Sequence, residues 1–229
     1  MAFTTIAKPS DHFDCPTWTG SSSTTTITGM GFKPDILLIK RYDGSGLPKL
    51  NNSTLGINSN YDPSQQGTNV TTAYVASYTS DGFTLTGNIN DTNAANQKYL
   101  SACFKCNGGT TSANSDGATA STVQANTSSG VSVVTYTGTG SAGTVGHGLS
   151  SKCDMVIIKT LDSINNWIVQ LPQLGDNARM LLDGTSAKTD DSTTAQAGNA
   201  TVFGIGADNS VAKNGDNFIA YCFTSISGF

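Results

Sequence analysis

The stretch from Trp18 to Arg41 returns as Tyr136 to Thr160, displaced by 118 to 119 residues, so the chain writes one pattern twice. In the first copy Trp18-Thr19-Gly20 leads through Thr26-Ile27-Thr28 and Gly31-Phe32-Lys33-Pro34 to Asp35-Ile36-Leu37-Leu38-Ile39-Lys40. In the second, Tyr136-Thr137-Gly138 leads through Thr144-Val145-Gly146 and Gly148-Leu149 to Asp154-Met155-Val156-Ile157-Ile158-Lys159. The far ends match as well, because Tyr99-Leu100-Ser101-Ala102-Cys103-Phe104 lies 119 residues before Phe218-Ile219-Ala220-Tyr221-Cys222-Phe223. A pattern repeated at both borders is expected to fold twice, as two copies of one module of about 100 residues.

Residue types identify the kind of module. All sixteen acidic residues are Asp, Glu is absent, and Ser and Thr together number 58, with 19 Asn beside them. Thr suits a pleated strand, whereas Asn, Asp, Ser and Gly suit turns, so strands and turns are expected with almost no helix. The aliphatic runs Ile36-Leu37-Leu38-Ile39 and Met155-Val156-Ile157-Ile158 are short and bounded by turn signals, and they read as core strands buried on both faces. In the closing segment Phe218, Ala220 and Cys222 alternate with Ile219, Tyr221 and Phe223, which places that strand in the middle of a sandwich. The expected fold is therefore all-β: two tandem antiparallel β-sandwich modules, jelly-roll-like and related by the internal repeat, over residues 1–107 and 131–229. The Gly/Ser/Thr/Asn-rich stretch 108–130 reads as a connector with room for one strand near Thr122-Val123.

Several function classes are excluded by what the chain is made of. A net charge of −4, with ten Lys and two Arg and no basic stripe, gives nucleic acid nothing to bind, so no nucleic-acid partner is expected. The longest aliphatic runs are four residues, too short for a membrane span. The start, Met-Ala-Phe-Thr-Thr-Ile-Ala-Lys, lacks a basic region followed by a long apolar one, so no signal peptide is expected and synthesis in a host cytoplasm is. Five cysteines cannot all pair within one chain, and Cys103-x-x-Cys106 stands without a second pair and with only two histidines available. Buried thiols are expected rather than a metal site or cofactor, with Cys106, just past its strand, the most accessible. His147 sits in Gly146-His147-Gly148, but Ser and Asp are so abundant that triad spacing carries no information, and no G-x-S-x-G elbow exists. No catalytic residue is assigned and no enzyme is expected.

Five segments carry a resemblance: Tyr136-Thr137-Gly138-Thr139-Gly140-Ser141-Ala142, His147-Gly148-Leu149, the Asp154 to Lys159 run, Asn166-Trp167-Ile168-Val169 and Ala220-Tyr221-Cys222-Phe223. Together they resemble a repeat domain of unknown function, often present in several copies, found in tail-fibre-like and other virion structural proteins of marine and environmental tailed bacteriophages. Cys153 stands where that pattern has a Pro before the core strand of the second module. The resemblance implies a virion structural protein on the particle surface, tail-fibre or receptor-binding in type. Because the chain begins and ends on modules, a capsid, neck or collar decoration (cement) protein is the alternative. A carbohydrate-processing enzyme comes third, disfavoured because no paired carboxylates recur in a matched setting. The implied partners are copies of itself, other virion proteins and a host surface glycan or receptor, in a homo-oligomer for which analogy favours a trimer. The binding site is not defined by sequence. Its candidates are Lys40 and Arg41, which can meet a carbohydrate or a neighbouring subunit, and Trp167, whose ring offers a sugar an apolar face but whose alternation with Ile168 and Val169 favours a core position. The charges Asp35, Lys40 and Asp43 recur as Asp154, Lys159 and Asp162, and they read as strand ends whose Asp side chains cap turns.

Overall fold

The computed structural model describes residues 8–68 and 72–227; the first residues, on which the reading of a missing leader rests, lie outside them. Among the described residues strands hold 39% and helices 5%, so the chain is all-β, with antiparallel sheets, as its Thr- and Asn-rich composition predicts. No helix among them is long and apolar enough to cross a membrane. The described residues divide into a smaller unit, 8–64 with 72–109, and a larger one, Gln65–Thr68 with 110–227.

In the smaller unit the core strand Ile36–Arg41 pairs with Lys49–Asn52 on one side and with the closing strand Lys98–Phe104 on the other, within a six-stranded sheet. A second sheet holds Thr25–Ile27, Gly82–Leu85 and Val75–Thr79. Leu37, Ile39, Tyr99 and Cys103 from the first sheet meet Ile27, Val75, Phe83 and Leu85 from the second in one buried cluster. The larger unit is built the same way. Its core strand Met155–Thr160 lies between Ile168–Gln170 and the closing strand Asn217–Phe223 in an eight-stranded sheet. Gly143–Gly146, Val202–Ile205 and Ala195–Gln196 form its three-stranded sheet, and Val145, Phe203 and Ile205 join Val156, Ile158 and Phe218 in a separate cluster. The stretch 108–130 carries the strands Ser112–Asn114 and Ser121–Asn126, which extend the eight-stranded sheet.

Pairing registers coincide at the spacing of the sequence repeat. Leu37 lies opposite Cys103 as Val156 lies opposite Cys222, and Ile36 opposite Phe104 as Met155 opposite Phe223. Trp18 stacks on Tyr99 at 5.7 Å and meets Phe83 edge-on at 5.9 Å, while Tyr136 stacks on Phe218 at 5.1 Å and meets Phe203 edge-on at 6.2 Å. One expectation is corrected. The core strands are not buried on both faces: Leu37, Ile39, Val156 and Ile158 are enclosed, but Leu38 is 37% exposed and Met155 and Ile157 are half-buried. An antiparallel sheet needs only one face covered, and the far face of each core strand meets partial cover. The closing strand Asn217–Phe223 is enclosed on both faces from Phe218 to Cys222.

Candidate functional site

In the larger unit the strand Gly143–Gly146 ends in a tight turn that holds His147. Gly148 has φ +70°, a left-handed backbone that glycine enters without strain, and a Cβ there would stand 3.0 Å from a Val123 methyl. The imidazole is fully buried. The Leu149 N–H donates to Nδ1 at 3.1 Å, which puts the ring proton on Nε2, facing the Asn199 carbonyl oxygen at 3.4 Å.

Cys153 comes from the loop before the core strand, where the Asp154 N–H donates to the Phe223 carbonyl at 2.8 Å, and it joins Cys222 in one buried cluster. Cys222 lies on the closing strand between Val156 and Ser132, so these three side chains share one face of the sheet. Ser132 is buried and its Oγ has no hydrogen-bond partner. Neither sulfur is in a disulfide. The neighbouring Cys222 thiol is the largest influence on the Cys153 thiol; burial works against it, and the adjacent His147 ring adds to the lowering. The result is a thiol pulled down to about 6. Cys103, the counterpart of Cys222 in the smaller unit, is instead pushed up to about 12 by burial. The opposite directions of these shifts make Cys153 the readier of the two thiols to ionise and Cys103 the more reluctant.

Cys153 also lines a shallow surface hollow, with room for about one water, together with Lys152, Gln170, Pro172, Gly198 and Phe203. Gln170 is fixed there by donating to the Thr194 and Gly204 carbonyls at 3.2 and 3.0 Å. Of the two sulfurs only Cys153 belongs to the lining of this hollow, and Cys222 has no exposed surface. Among the described residues no group of three His, Cys, Asp or Glu side chains is arranged to hold a metal ion.

A family model described as a domain of unknown function (DUF7483) matches residues 8–229. The chain belongs to the DUF7483 family. No curated protein and no solved structure matches it. The DUF7483 match runs through both units in one span and includes His147, Cys153 and Cys222.

The binding candidates drawn from sequence lie elsewhere in this DUF7483 chain and do not come together in one unit. Lys40 and Arg41 belong to the smaller unit and Trp167 to the larger. The Lys40 ammonium donates to the Gly46 carbonyl. The Arg41 guanidinium donates to Asp43 at 2.8 Å, to Asn90 at 3.1 Å and to Gln97, so it is engaged within its own unit. Trp167 has no exposed surface and its Nε1 donates to the Gln65 carbonyl at 3.0 Å, so the ring fills the core and offers no face to a sugar. Lys159 is also enclosed, donating to the carbonyls of Gln66 and Asn165 at 2.9 and 2.7 Å; burial pulls its ammonium down to about 8 against the opposing pull of Asp183.

The repeated aspartates cap turns. Asp35 accepts from the backbone N–H of Cys106 and Gly108 at 2.7 and 2.9 Å, and Asp154 accepts from the N–H and hydroxyl of Ser225, both at 2.6 Å. Each folds the segment after a closing strand back onto the start of its core strand. That folding buries Cys106, against the expectation that it would be the most accessible thiol; Cys15 is the exposed one.

Sequence reading missed the trio His147, Cys153 and Cys222. The available signal was an asymmetry in the repeat: 119 residues before Cys222 stands another cysteine, Cys103, but 119 residues before Cys153 stands Pro34. Only the second copy therefore has a thiol on the residue before the Asp that opens the core strand.

Proposed function

We propose that this chain is a structural protein of a bacteriophage particle, displayed on its surface in the manner of a tail-fibre or receptor-binding protein and working without catalysis. Two tandem β-sandwich modules, jelly-roll-like, form its scaffold. The observation that supports this reading best is the recurrence of one pairing scheme, with Leu37 opposite Cys103 and Val156 opposite Cys222, completed by matching aromatic stacks. Repeating one rigid unit is an economical way to extend a surface. The capping aspartates and the guanidinium of Arg41 are engaged internally, and the loops after the two core strands carry exposed apolar side chains: Tyr42 at 53%, Leu47 at 41% and Ile164 at 74%. Such side chains on loops are what an interface buries. Copies of the chain, as a trimer, and other virion proteins are the partners, and repeated copies strengthen weak contact with a host glycan or receptor.

Image reconstruction of the particle, with the chain located by density and cross-linking, tests the proposal. Density at a fibre or tail tip is expected. Placement at the capsid, neck or collar would favour a decoration protein, and absence from the particle, or release of sugars from host glycans by the purified chain, would overturn the reading.

A further inference from the structure

The sulfur cluster of the larger unit carries chemistry that a scaffold does not use. We propose that Cys153 and Cys222 are a redox pair which a peroxide converts to an intramolecular disulfide, Cys153 as the attacking thiol and Cys222 as the resolving one. Placement assigns the roles. The peptide N–H that follows Cys153 is bonded to the carbonyl of Phe223, the neighbour of Cys222, both sulfurs belong to one buried cluster, and Cys153 lines the surface hollow while Cys222 has no exposure of its own. Ser132, opposite Cys222 on the neighbouring strand, brings a buried hydroxyl without a partner to this face, a polar group able to bond a sulfenic oxygen or a released water. The low-lying thiol of Cys153 supplies the thiolate that such chemistry needs at neutral pH. The smaller unit has no equivalent, because Pro34 occupies the matching position.

In the first step the Cys153 thiolate attacks one oxygen of hydrogen peroxide. An S–O bond forms as the O–O bond breaks, giving Cys153 sulfenic acid and a hydroxide that takes up the proton released by the thiol and leaves as water. The Cys222 sulfur then attacks the sulfenic sulfur. An S–S bond forms, the S–O bond breaks, and the departing hydroxide takes the Cys222 proton as a second water. Two thiols and one peroxide give one disulfide and two waters, the two sulfurs together losing the two electrons that the peroxide gains.

The reduced full-length chain, treated with stoichiometric hydrogen peroxide, alkylated and digested without reductant, provides the test. A linked pair of peptides containing Cys153 and Cys222 is expected, with Cys103 recovered as an alkylated thiol. Recovery of both Cys153 and Cys222 as alkylated thiols while Cys15 or Cys106 is oxidised would overturn the proposal, as would conversion of Cys153 to sulfinic acid with Cys222 still reduced. In Cys222→Ser the sulfenic acid on Cys153 persists and is trapped by a cyclic 1,3-diketone; in Cys153→Ser loss of the Cys222 thiol slows about tenfold or more. Should either variant fail to fold, the peptide map of the unaltered chain decides. The outcome does not depend on where in a particle the chain resides.

Discussion

Cys103 and Cys222 occupy matching positions opposite Leu37 and Val156, yet the smaller unit has Pro34 where the larger has Cys153. Burial chiefly drives Cys103 up to about 12, whereas the neighbouring Cys222 and His147 outweigh burial at Cys153. An ultraviolet thiolate titration of the full chain, taken as the difference from Cys153→Ser, should show ionisation centred near pH 6. In His147→Asn the midpoint should rise toward the ordinary thiol value of about 8.5. An unmoved midpoint would remove His147 from the account. The sign for stability follows: the fold favours ionised Cys153, so its contribution is complete above about pH 8.5 and is lost as pH falls through about 6. Denaturant midpoints of the unaltered chain and Cys153→Ser should accordingly converge in acid.

The two faces of a core strand behave differently, and Ile36–Arg41 allows a direct comparison. Leu37 is fully enclosed while Leu38, the next residue, is 37% exposed. Leu37→Ala should cost about 2–5 kcal/mol in chemical unfolding and Leu38→Ala about 1 kcal/mol or less. Equal losses would mean that the outer face is covered. The turn that carries His147 is tested by Gly148→Ala. A left-handed backbone at φ +70° and a Cβ 3.0 Å from Val123 together should cost about 1–3 kcal/mol. Because that turn sets the ring, the same substitution should also raise the Cys153 midpoint, which a merely destabilising change elsewhere in the sheet would leave in place.

Each unit has its own buried cluster, with Trp18, Phe83 and Tyr99 in one and Tyr136, Phe203 and Phe218 in the other. Amide exchange should therefore respond locally. Phe83→Ala should lower protection in residues 8–64 and 72–109, and Phe203→Ala in residues 110–227, each by the equivalent of about 3–5 kcal/mol. Loss of protection throughout the chain from either substitution would show that the units unfold together.

Strand-rich character, the places of the core and closing strands and the capping role of Asp35 and Asp154 were all legible in the amino-acid sequence. They follow from local preferences, those of Thr for pleated backbone, Asp for turns and short aliphatic runs for burial, and the repeat states each of them twice. Tertiary structure decided which face of each core strand is covered, since cover is supplied by chain distant in sequence. It placed Gln65–Thr68 in the larger unit, where the carbonyls of Gln65 and Gln66 accept from Trp167 and Lys159, so that the binding candidate Trp167 and the strand-end charge of Lys159 are both enclosed. It also brought Cys153 to Cys222 and His147. No local preference marks such a meeting, because the ionisation of a thiol depends on neighbours that only the folded sheet assembles.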